Sequence, residues 1–114
     1  MLSHSVMLRE SAEATRIPLD ARAITDPAID PLIPAGKPLL AFVDAALSGN
    51  RLSEARASLT AVLGWDGTVA AAAVIGNFEM MNRVADASGM PVSAGALART
   101  EEWRAELGLD RFRH

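Results

Sequence analysis

Along most of this chain the apolar residues recur at helical spacing, and nowhere do they show the strict alternation of a half-buried strand. Residues 3–15 place Leu8 and Ala12 at i,i+4 and Met7 and Ala14 at i,i+7. From 38 to 47, Leu39, Val43, Ala46 and Leu47 form an apolar stripe, with Pro38 tolerable in the first turn and Ser48-Gly49-Asn50 as the stop. Ser53 is positioned to cap a third helix, with Glu54 favourable near its positive end and Ala55, Leu59, Val62 and Leu63 as its stripe. Gly64 suits the left-handed position just past that helix. Asp66 then caps the longest helix, residues 67–88, a span of roughly 33 Å at 1.5 Å per residue. Residues 69–76 are small and apolar all round, which predicts that 69–85 is the most buried helix. On that expectation a charged residue at Ala72 or Ala73 prevents soluble folding. Gly89 and Pro91 close the helix. Ser93 caps a last one, with Val92 and Leu97 spaced as a hydrophobic staple; Ala96, Trp103 and Leu107 share a face, and Gly108 ends it.

Five of the six prolines fall between Pro18 and Pro38. Proline removes a backbone donor and disfavours helix in the residue before it, so 17–38 reads as an irregular connection with one helical turn near 20–24. The pattern predicts an all-α domain of about five helices occupying the whole chain, 1–114.

Composition narrows the chemistry. Half of the 114 residues are apolar but only 4% are aromatic, so the core must be built from Ala, Leu, Val and Met, and each alanine contributes little burial. Mean hydropathy is positive. Alanine-rich helices in so short a chain imply an apolar face left over, and a homo-oligomer is expected. The net charge of −3, a single lysine (Lys37) and scattered arginines argue against a nucleic-acid partner. The helix pair around Gly64 resembles a helix-turn-helix in outline only, since Thr68, Val69 and alanines stand where base-reading side chains are needed. The alanine-rich run 69–75 is too short for a bilayer, and no leader is visible near the first residues, so a cytoplasmic protein without a membrane partner is expected.

There is no cysteine, which excludes disulfides, zinc–thiolate sites and any thiol nucleophile on this chain. His4 and His114 stand at opposite ends without metal-ligand spacing, so neither a metal nor a cofactor is expected. His4, between Ser3 and Ser5, reads either as a helix-end histidine or as an acid–base group. Asn82, Arg83 and Asp86 form a second polar cluster, in which Arg83 and Asp86 could pair across one turn. It reads either as a site at the inner end of the long helix or as a buried network fixing that helix's packing. Met80 and Met81 read as core filler.

Residues 70–92, AAAAVIGNFEMMNRVADASGMPV, with the opening HSVMLRES and the closing RAELGLDR, resemble the carboxymuconolactone decarboxylase and alkylhydroperoxidase D-type superfamily. The peroxidase-related branch often carries an alanine-rich run followed by Asn-x-x-Asn-Arg-x-Ala-Asp-Ala-x-Gly. The resemblance implies an alkylhydroperoxidase D-like helical fold and assembly through helices. It also matches His4 to the histidine of that branch's Cys-x-x-Cys-x-x-x-His motif, where paired cysteines reduce peroxide and the histidine relays protons. The second cysteine of that motif would fall one place before Met1. What the resemblance implies is therefore a truncated or degenerate peroxidase-related protein without thiol peroxidase activity, His4 being a remnant. Two alternatives remain: a non-catalytic subunit that assembles with itself or a cysteine-bearing relative, and a cysteine-free decarboxylase-like enzyme using a histidine.

Overall fold

The computed structural model describes residues 2–112; His114 lies outside them. All regular structure among the described residues is helical, as the spacing predicts: α1 (Leu2–Thr15), α2 (Gly36–Ser48), α3 (Leu52–Ser88), α4 (Ala94–Arg99) and α5 (Glu101–Glu106), with 3-10 turns at Ala21–Ile24 and Leu109–Phe112. The chain forms two compact units, one from residues 2–34 with 92–112, the other from Ala35–Pro91.

The first unit has a small core. Ala21, Leu107 and Leu109 are buried together, with Leu19 and Trp103 packed against them. The turn after the proline-rich start forms because the Asp20 carboxylate caps it, accepting from the Arg22 backbone N–H at 3.1 Å. Long-range hydrogen bonds tie this turn to the C-terminal segment. Thr25 Oγ1 donates to the Leu107 carbonyl at 2.8 Å, and Arg111 Nη2 donates to the Thr25 carbonyl at 2.9 Å. On α1, Met7 and Leu8 are exposed and Ser5 is buried. The last helix starts as expected, Ser93 Oγ accepting from Ala96 N at 3.2 Å, but breaks at Thr100. Thr100 Oγ1 takes the Ala96 carbonyl at 2.7 Å, a side-chain bond that competes with the helical ladder.

The second unit is a helical hairpin. Gly49 (φ 76°) ends α2 and Arg51 (φ 53°) opens α3. Ser53 is therefore not the cap; it lies inside the first turn, and Arg51 pairs with Glu54 instead, Nε to Oε2 at 2.9 Å. Phe42 and Ala45 of α2 and Leu59 and Thr68 of α3 are buried. The boundary expected between two helices at 64–66 is present as a break in α3: Gly64 leaves helical geometry (φ 71°, ψ 179°), a backbone region essentially reserved for glycine. The break divides α3 into arms of residues 52–63 and 65–88, so Asp66 sits in the second arm's first turn. Thr68 Oγ1 donates to the Gly64 carbonyl at 2.9 Å and lies 3.0 Å from Thr60 Oγ1, bracing the break from both sides.

The expectation that 69–85 is the most buried helix is overturned. No residue in that stretch is buried, and Val69, Val74, Met80 and Val84 are each about half exposed or more. The reason is length. The 13 residues of α2 reach roughly 20 Å, enough for the roughly 18 Å of the first arm but not for the roughly 36 Å of the second as well. α2 lies along the first arm, where Ala41, Asp44, Ala45 and Ser48 share a hollow with Arg51, Glu54, Ala55 and Ser58. Uniform small-apolar composition signals burial only when there is a partner to supply it.

Candidate functional site

Three places carry the chemistry anticipated from sequence or formed by the fold. The first is the N-terminal helix. His4 lies on α1 and is exposed, one residue before the buried Ser5.

The second is the Asn82, Arg83 and Asp86 cluster. All three are exposed, so the buried network is not formed. Arg83 does not pair with Asp86; its Nη2 reaches back to Glu79 Oε2 at 3.4 Å, with the arginine side chain 81% exposed. At that distance and exposure the pair contributes at most a few tenths of a kcal/mol. The guanidinium is left available to other groups.

The third was not visible in the sequence. In the first unit, Arg9 stacks over Trp103 with its guanidinium carbon 5.0 Å from the ring centroid, while Arg9 Nε bonds Glu13 Oε1 at 3.0 Å. Beside them is an open hollow of about 570 Å³, lined by Glu13, Arg16, Leu19, Asp20, Trp103 and Glu106 among others. Asp20 is taken by Arg22, through Nε at 2.9 Å and Nη2 at 2.6 Å. The hydrogen bond from that guanidinium holds the Asp20 carboxyl below the ordinary carboxylate range and raises Arg22 in turn. Trp103 Nε1 and Arg104 Nε are buried without a hydrogen-bond partner. Arg104 is otherwise well held, by the Asp110 carboxylate and by the Leu97 carbonyl at 3.2 Å. The hollow's lining carries both signs of charge, Arg9 and Arg16 with Glu13, Asp20 and Glu106. Arg9 and Trp103 stand near opposite ends of the chain, so no local spacing could have signalled their meeting. Among the described residues no three His, Asp or Glu side chains gather where they could hold a metal ion.

A further surface feature is apolar. Trp65 (65% exposed), Val69, Val74, Met80, Met81 and Val84 all lie on the second arm of α3. Met80 and Met81, expected as core filler, are part of this surface. By length and composition α3 could cross a membrane, and only 11% of its most apolar stretch is buried. That stretch is longer than the run 69–75, and it lies in a helix interrupted at Gly64. The arm also carries Asp66, Glu79, Arg83 and Asp86, whose burial in hydrocarbon is costly.

Comparison with protein-family models, curated proteins and solved structures gives no match.

Proposed function

We propose that this chain is a peroxidase-related, alkylhydroperoxidase D-like protein without thiol chemistry, serving as a non-catalytic subunit that assembles with itself. The apolar outer face of α3's second arm carries this reading. In a soluble monomer a row of large apolar side chains at this exposure is a standing liability, and such patches mark interfaces. The catalytic side is supported by chemistry: a peroxidatic cycle needs a thiolate, and the chain has no cysteine. Serine cannot cycle through a disulfide. Methionine can be oxidised to the sulfoxide but depends on a separate reductase to return. The exposed His4 fits a remnant better than a working base.

The test has two halves. Light scattering at micromolar concentration should give a mass at least twice the 12.0 kDa of the chain. Incubation with peroxide and a dithiol should give no turnover above the buffer rate. A monomer defeats the assembly half; turnover abolished by His4→Ala defeats the non-catalytic half.

A further inference from the structure

At 3.6 residues per turn, Val69, Ala73, Gly76, Met80 and Ala87 fall on one line along the second arm of α3, in steps of four, three, four and seven. Trp65 and Arg83 flank this line on one side, Asn77 and Val84 on the other. The line is a heptad-type seam, the pattern by which one helix presents itself to another. It lies on the exposed side of the arm, since Ala71, Ile75 and Phe78, which are half-buried, fall on the opposite side.

Gly76 adds an independent observation. It has ordinary helical geometry, and a Cβ built there would meet nothing within 4 Å. Nothing inside the chain requires a glycine at this position, yet a mid-helix glycine costs about 1 kcal/mol relative to alanine. A close approach from outside the chain accounts for it.

We infer that a second copy of this chain covers this face, arm against antiparallel arm, about a two-fold axis passing between Val74 and Ile75. This rests on the assembly reading above and specifies its interface. The register follows from fitting the seam to itself. With the axis there, Ala73 faces the partner's Gly76, so the smallest residues meet where the helices come closest. Val69 faces Met80 on either side and fills the widening gap. Arg83 faces Trp65, and both are exposed: a guanidinium whose partner Glu79 lies 3.4 Å away, and an indole 65% exposed. Their stacking is a cation–π contact, and the symmetry makes it twice. A parallel pairing would instead oppose Arg83 to Arg83 and Trp65 to Trp65, setting like charges together. Residues 65–84 extend roughly 30 Å. One helix pair of that length lies near the lower limit of specific interfaces, about 1,200 Å² in total.

A chain without cysteine is a clean background for cross-linking. Val69→Cys and Met80→Cys are prepared separately, oxidised alone, and oxidised as an equal mixture. The antiparallel register gives a covalent dimer in the mixture and little in either sample alone. Val69→Cys linking efficiently to itself overturns the proposal in favour of a parallel pairing. A dimer by light scattering with no mixed cross-link overturns this interface but leaves the assembly reading standing, whereas a monomer throughout ends both. Gly76→Leu should raise helix content by circular dichroism yet abolish the dimer; retention of the dimer counts against the inference. Trp65→Ala and Arg83→Ala should each weaken dimerisation roughly tenfold with the helical spectrum unchanged, since each removes the cation–π contact at both ends of the interface. Binding of the wild type to phosphatidylcholine vesicles with loss of the dimer would identify lipid as the occupant and overturn the proposal.

Discussion

The two units solve the shortage of large apolar side chains in different ways. The first gathers short helices and turns around three buried residues, Ala21, Leu107 and Leu109, and fastens them with side-chain bonds that reach across the sequence: Thr25 to Leu107, Arg111 to Thr25, Arg9 to Trp103. The second makes almost no such bonds. It lays a short helix along a long one, buries Phe42, Ala45 and Leu59, and leaves the rest of the long helix apolar and exposed. Where helices are short, polar clasps complete the fold. Where one helix is long, its surplus surface becomes available to another molecule.

The contrast can be broken first at the buried leucines. Leu59 and Leu107 are fully buried, one in each unit, and replacing either with alanine should cost about 2–5 kcal/mol. Guanidinium unfolding followed separately by Trp65 and Trp103 fluorescence, in single-tryptophan variants, reports each unit. Leu59→Ala should move the Trp65 transition and Leu107→Ala the Trp103 transition; identical shifts of both probes would show that the units unfold as one and that the division is only geometric. The next effect belongs to the break in α3. Gly64→Ala forces a Cβ into φ 71°, ψ 179°, and although no atom lies in its way the conformational cost should be about 1–3 kcal/mol, measured by the same denaturation.

Smaller effects belong to the clasps. Arg9→Ala removes the stacking on Trp103 and should lower stability by about 0.5–1 kcal/mol, with a change in Trp103 emission. The smallest is the charge of Asp20. Because Arg22 holds its folded pKa below the unfolded value, the carboxylate contributes stability that is present above the ordinary carboxylate pKa and is lost as pH falls through the lowered folded one. Asp20→Asn keeps a capping oxygen but drops the charge. The variant should be slightly less stable than the wild type at pH 7, with the gap closing as pH falls through the lowered folded pKa and the wild type loses its advantage.

The helices themselves were legible from spacing, and so were several of their ends. The stripe at Leu39, Val43 and Leu47, the cap at Ser93, the turn near 20–24 and the stops at Gly49, Gly89 and Gly108 depend on a few adjacent residues, and local chemistry decides them. Burial was not legible in the same way. Residues 69–85 look like a core helix from composition alone, but what covers a helix is decided by the reach of its neighbours, here the roughly 20 Å of α2. The same limit applies to Arg83, whose choice of Glu79 over Asp86 depends on which rotamer the open surface allows. Arg9 and Trp103 were out of reach altogether, because their meeting depends on how the two ends of the chain come together.

One residue also sets where the far end of α3 points. The arm beyond Gly64 runs roughly 36 Å to Ser88, so a change of about 10° in direction at the break sweeps its tip through about 6 Å, more than one helical turn. A glycine with open space around it resists such a turn only weakly. The hydroxyl of Thr68, bonded to the carbonyl at the pivot and touching Thr60 across it, is the strut that fixes the angle. A methyl in place of that hydroxyl, Thr68→Val, would leave the helix intact and release the lever.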